Sequence, residues 1–127
     1  MEATIRILVI DDEAMVRNTI ARTLEREGYR VAHAVDGLRG LTSFRKEPPD
    51  LVITDIIMPE EEGIGTIRRM LAEQPGAKII AISGGGRIGN VDFLRIAEKI
   101  GAMATMRKPF APSEFIALVS ECLRKPK

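Results

Sequence analysis

Short apolar runs alternate with amphipathic stretches along the whole chain. The runs are Ile7-Leu8-Val9-Ile10, Arg30-Val31-Ala32-His33-Ala34, Leu51-Val52-Ile53-Thr54, Lys78-Ile79-Ile80-Ala81-Ile82 and Met103-Ala104-Thr105-Met106. Three of them are almost continuously apolar and rich in Val and Ile, the pattern of strands buried on both faces of a parallel sheet. The intervening stretches have helical spacing. Val16, Ile20 and Leu24 recur every four residues, and Gly28 supplies a C-terminal stop. Leu38, Leu41 and Phe44 follow Asp36, a residue suited to an N-cap, and Pro48-Pro49 ends that helix. Ile64, Ile67, Met70 and Leu71 form a third stripe, and Val91, Leu94, Ala97 and Ile100 a fourth, closed by Gly101. Phe115, Leu118, Val119, Cys122 and Leu123 form a fifth, with Pro112 near its first turn.

Strict strand–helix alternation predicts an α/β fold with right-handed crossovers. Five units fit a doubly wound, flavodoxin-like three-layer sandwich, with a five-stranded parallel sheet of order 2-1-3-4-5 and five helices. The 127 residues match one domain, with a core over about residues 5–123 and no effector domain expected. A net charge of +1 gives no field that would draw nucleic acid or a membrane, and neither is expected as a partner. One cysteine excludes an internal disulfide and fits a reducing compartment. There is no signal-peptide pattern and no membrane-length apolar run, so a cytoplasmic protein is expected.

In doubly wound sheets, ligands bind beyond the carboxyl ends of the strands. There the first strand ends in Asp11-Asp12-Glu13, the third in Asp55, the fourth in Ser83 and the fifth in Lys108-Pro109. Singly, each has a bland explanation: Asp12 as a helix N-cap, Ser83 as a turn residue, Lys108 as a solvated charge. Their joint placement at four strand ends favours chemistry. Two carboxylates ~5 Å apart repel by roughly 3 kcal/mol at an effective dielectric of about 20. A divalent cation relieves this, and hard carboxylate oxygens suit Mg²⁺. Asp55 can then act as a nucleophile towards phosphorus, with Lys108 and Ser83 meeting phosphoryl oxygens.

Asp11-Asp12, Asp55 followed by Met58-Pro59 and Gly63, Ser83, and Lys108-Pro109-Phe110 resemble the receiver domain of two-component response regulators, from about Ile5 to Leu123. The resemblance implies that Asp55 accepts phosphate from a phosphohistidine on a sensor histidine kinase or histidine phosphotransfer protein. It implies that Asp12, Asp55 and the main-chain carbonyl of Ile57 hold Mg²⁺, with Asp11 helping through water. A cis Lys108–Pro109 bond and an unidentified downstream protein are implied as well. Such a chain is a signalling protein rather than an enzyme, assisting only its own phosphoryl transfer and slow dephosphorylation.

The chain departs from the family pattern in three places. The position three before the lysine, ordinarily Tyr or Phe, is Thr105. Ser83 is followed by Gly84-Gly85-Gly86, in a span to Lys108 that is longer than usual; this loop is either mobile or presents its N–H groups to phosphate. Third, the sequence stops soon after the fifth helix, at Arg124-Lys125-Pro126-Lys127, so the expectation is either a protein that acts by binding partners or a fragment of a longer chain. Thr105 and the glycines leave a rival reading, an interaction module that is never phosphorylated. Gly84–Gly89 matches G-x-G-x-x-G, but a dinucleotide fingerprint belongs after the first strand with an acid about 20 residues on. A dehalogenase-like phosphatase needs an acid two positions after Asp55, where Ile57 stands. His33 has no support as a phosphohistidine, and Glu60-Glu61-Glu62 reads as a solvated loop. Met15 lies off the α-helical core stripe, close to the acidic pocket, where an apolar side chain could meet the partner that delivers phosphate.

Overall fold

A computed structural model describes residues 4–56, 62–84, 87–88 and 91–126. Its elements are β1 (Arg6–Ile10), α1 (Ala14–Arg26), β2 (Arg30–Ala34), α2 (Gly37–Lys46), β3 (Leu51–Asp55) and α3 (Glu62–Glu73). They continue with β4 (Ile79–Ser83), β5 (Arg87–Ile88), β6 (Val91–Asp92), α4 (Phe93–Ile100), β7 (Ala104–Arg107) and α5 (Pro112–Arg124). The main sheet is parallel, in the order β2-β1-β3-β4-β7. Counting only its own strands, this is the order 2-1-3-4-5 that the alternation predicts.

The continuous apolar strands feed two cores, one on each face, because successive side chains of a strand point to opposite sides. Ile7 and Val9 of β1 pack with Ile20 and Leu24 of α1 and with Phe115, Val119 and Cys122 of α5. Leu8 and Ile10 pack with Leu41 and Phe44 of α2, Ile67 and Met70 of α3, and Leu94 and Ala97 of α4. Helix ends follow the expected chemistry. The Asp36 carboxylate accepts a hydrogen bond from Arg39 N at 2.8 Å and caps α2. Gly28, just past α1, has φ of 90°, a conformation that only glycine takes without strain. Pro112 opens α5, where its missing N–H leaves nothing unsatisfied.

Two differences from the sequence reading appear, both in the fourth unit. Val91 does not start a helix. Val91–Asp92 forms a two-residue strand antiparallel to Arg87–Ile88, and α4 begins at Phe93. The Asp92 carboxylate caps it by accepting from Leu94 N at 3.2 Å. Among the described residues, no helix is long and apolar enough to cross a membrane.

Candidate functional site

Strand register builds the site. Ile10 pairs with Thr54, Asp55 with Ile82, and Ser83 with Arg107. Asp11 and Lys108 are the next residues beyond β1 and β7, so the acids, the hydroxyl and the lysine stand along one edge. Lys108 N donates to Ser83 O at 2.8 Å, which fixes the last strand end against β4. The Lys108–Pro109 peptide is cis, as the resemblance implies.

Asp11 and Ser83 are fully buried, and Asp55 is 3% exposed. Buried carboxylates demand a charge partner, since an unpaired buried charge is strongly unfavourable. Lys108 provides it. Its ammonium donates to Asp11 Oδ2 at 3.1 Å and to Asp55 Oδ2 at 3.3 Å, bridging the first and third strand ends. Burial acts to lower the pKa of this ammonium, but the hydrogen bonds and negative charge of Asp11 and Asp55 outweigh it and hold the value above the ordinary lysine range. Asp11 Oδ1 accepts from Glu13 N at 2.9 Å.

Carboxylate oxygens of Asp11, Asp12, Glu13 and Asp55 all lie within 4.8 Å of one another. Four carboxylates against one ammonium leave excess negative charge, and the donors are all hard oxygens. That donor set fits a cation such as Mg²⁺. Asp12 is exposed and does not cap α1, so the bland reading of it as an N-cap fails; Glu13 occupies that position, without a side-chain capping bond. Gly63 allows α3 to close on the site: a Cβ there would lie 2.7 Å from the Asp55 carbonyl oxygen.

The structure thus brings together Asp11, Asp12, Asp55, Ser83 and Lys108. Ile57, expected to offer its carbonyl, lies outside the described residues, as do Met58, Pro59, Glu60 and Glu61, and Gly85, Gly86, Gly89 and Asn90. The sequence reading names Glu13 at the end of the first strand but gives it no part in the acidic group. It also missed Arg17, whose Nη1 donates to the Asp11 carbonyl at 2.8 Å. His33 is exposed on β2.

Two neighbouring regions flank the row. Thr105 Oγ1, at the position where the family pattern has an aromatic, donates to Glu98 Oε1 of α4 at 3.1 Å. Arg107 Nη2 donates to Asp92 Oδ2 at 2.9 Å. On the other side, Met15 is 84% exposed and lines an open apolar groove of about 400 Å³ with Val16, Thr19, Ile20, Lys108, Pro109 and Phe110.

The model of the response regulator receiver domain matches residues 7–120. The chemotaxis protein CheY of Thermotoga maritima is 33% identical over 117 residues, which are 91% of this chain and 95% of that protein. The probable transcriptional regulator ycf27 of Cyanophora paradoxa is 34% identical over 120 residues, 94% of this chain but 48% of that protein. This chain therefore spans about half the length of the first curated relatives it matches. A receiver domain protein (CheY-like) from Methanospirillum hungatei superposes with a TM-score of 0.87 at 28% identity, covering 95% of this chain and 94% of that one. Fold, strand order and a match across nearly the whole chain agree: the chain belongs to the response regulator receiver domain family, a signalling module of two-component systems.

Proposed function

We propose that this chain is a phospho-acceptor switch of the cytoplasm that receives a phosphoryl group on Asp55. The observation that carries the reading is the Lys108 ammonium held between Asp11 and Asp55, within a group of four carboxylates. The donor is a phosphohistidine on a sensor histidine kinase or a histidine phosphotransfer protein. A carboxylate oxygen of Asp55 attacks phosphorus, the P–N bond breaks, and the imidazole leaves with the bonding pair and takes up a proton. Asp12, Asp55 and the Ile57 carbonyl would hold Mg²⁺, with Asp11 acting through water. When bound, the cation offsets charge on the phosphoryl oxygens and on the clustered carboxylates. Lys108 can release Asp55 and pair with a phosphoryl oxygen while retaining Asp11, and the Ser83 hydroxyl would donate to another oxygen. The groove beside Met15 and Phe110 is the face for the delivering partner, because it opens next to Lys108 and is apolar. The phosphorylated form then changes its affinity for a downstream protein.

The test is incubation with acetyl phosphate and Mg²⁺, read by intact mass. One added phosphoryl mass in the wild type and none in Asp55→Ala is expected. Equal labelling of Asp55→Ala would remove Asp55 from the role. Absence of label in the wild type, with or without Mg²⁺, would favour the unphosphorylated interaction module, for which the Thr105–Glu98 bond in place of an aromatic switch is the supporting observation.

A further inference from the structure

Asp11 is held at every polar group it has. Its N–H donates to Ala34 O at 3.1 Å. Its carboxylate accepts from Glu13 N on one oxygen and from the Lys108 ammonium on the other. Its carbonyl, part of the peptide that joins Asp11 to Asp12, accepts from Arg17 Nη1 at 2.8 Å. This last contact comes from the first turns of α1, so a helix side chain reaches back over the turn that precedes its own helix. It is made under an unfavourable condition: Arg17 Nε is buried with no hydrogen-bond partner among the described residues. A buried donor without a partner is destabilising, and native structures rarely keep one. The geometry thus maintains the grip on the Asp11 carbonyl even though it strands a neighbouring donor.

The consequence falls on Asp12. Asp11 is buried and held on both carboxylate oxygens, whereas Asp12 is exposed, with a carboxylate oxygen within 4.8 Å of those of Asp11, Glu13 and Asp55. The peptide plane before a residue, together with φ, fixes the origin and direction of its Cα–Cβ bond, and the rotamers of the side chain start from there. We infer that Arg17 is a positioning residue for the cation site: by holding the Asp11 carbonyl it sets the Asp11–Asp12 peptide plane and so aims the Asp12 carboxylate at the site. The inference rests on the reading of the acidic group as an Mg²⁺ site.

Charge and position predict opposite signs. Arg17 is a cation whose guanidinium sits on the Asp11 carbonyl, in the residue that carries one of the four carboxylates, so by charge alone its removal strengthens divalent binding. By position, removal lets the peptide and Asp12 swing, and binding weakens; residues that orient metal ligands are worth about tenfold or more in affinity. Arg17→Met keeps the alkyl packing and deletes both the charge and the donors. Its affinity for Mg²⁺ alone, read from the rise of Tm across a metal titration, is expected to be about tenfold weaker than wild type. Arg17→Lys, which keeps a donor of similar reach, is expected to recover most of that loss. Labelling of Asp55 by acetyl phosphate in Arg17→Met should be slow at limiting Mg²⁺ and near wild type at saturating Mg²⁺. Unchanged or tighter Mg²⁺ binding in Arg17→Met overturns the inference, as does an equal labelling defect at limiting and saturating metal. Should Arg17→Met not fold, Arg17→Gln carries the same comparison: weaker binding supports positioning, and unchanged or tighter binding overturns it. A wild type whose Tm ignores Mg²⁺ overturns the metal site itself and this inference with it, whereas a responsive wild type beside an equally responsive Arg17→Met overturns this inference alone.

Discussion

The acidic row and the α4–β7 flank share one edge of the sheet and are held by different means. In the row, Asp11, Asp55 and Ser83 are buried, the lysine bridges two strand ends, and α3 closes onto the Asp55 backbone through Gly63. Along the flank, the polar side-chain contacts among the described residues include a hydroxyl–carboxylate bond from Thr105 and an ion pair from a half-exposed Arg107. Exposed pairs contribute about 0–1 kcal/mol, since water competes for both partners. Breaking a buried pair by removing one member costs about 3–5 kcal/mol. The edge therefore places a buried, charge-paired acidic row next to a flank whose polar contacts are broken at little cost. That division suits a switch, in which the reacting groups stay aligned while the neighbouring surface changes.

The largest test of this contrast is Lys108→Met. It leaves Asp11 and Asp55 facing each other without their cation, and metal-free stability in urea unfolding should fall by about 3 kcal/mol. Mg²⁺ should still bind and restore part of the loss; complete loss of Mg²⁺ binding would show the lysine to be part of the cation site. Next comes Gly63→Ala. The added methyl meets backbone that cannot step aside, so a loss of about 1–3 kcal/mol is expected, with slower labelling of Asp55. Gly65→Ala, two residues along the same helix and facing open space, should instead be neutral or gain about 0.5–1 kcal/mol, and equal losses in both would deny that the close approach matters. The smallest effect is expected for Asp92→Asn. Without the Arg107 pair, stability should change by less than about 1 kcal/mol and amide exchange at the start of α4 should quicken, with Asp55 labelling unaltered. If Asp92→Asn were as damaging as Lys108→Met, the two regions would not differ in the way described.

Legibility in the sequence followed the range of the interactions. Strands came through because four- and five-residue apolar runs have no other stable home in a doubly wound fold. Asp36 and Gly28 were readable because capping acts within three or four residues. The members of the row were readable once the strands were, since the fold rule assigns strand ends to a common edge. Arg17 was not, because its bond to the Asp11 carbonyl spans a strand-to-helix turn whose shape no periodicity encodes. The β5–β6 hairpin escaped for a related reason. Two-residue strands carry no alternation, and Val91 happened to continue the apolar stripe of α4. Glu98, the partner of Thr105, is known only after α4 has been laid against β7.

The two-sided core raises a question of alignment. In a half-exposed strand, sliding by one residue would turn apolar groups towards water, and this penalty sets the pairing. The central strands here are apolar on both faces, so a slide would exchange one greasy side chain for another with little penalty from burial. What remains to forbid it are the residues that bracket each run: Arg6 and Asp11 around β1, Asp50 and Asp55 around β3, Lys78 and Ser83 around β4. At the far ends these brackets are tied down, Arg6 N to the Asp50 carboxylate at 2.9 Å and the Lys78 ammonium to the Leu123 carbonyl at 2.9 Å. A slide of β1 in one direction would drag Arg6 into the hydrocarbon interior, and in the other Asp11. The same aspartates that form the acidic row thus act as stops for the strands that carry them, and a version of this protein stripped of its chemistry would also lose part of the information that keeps its sheet in step.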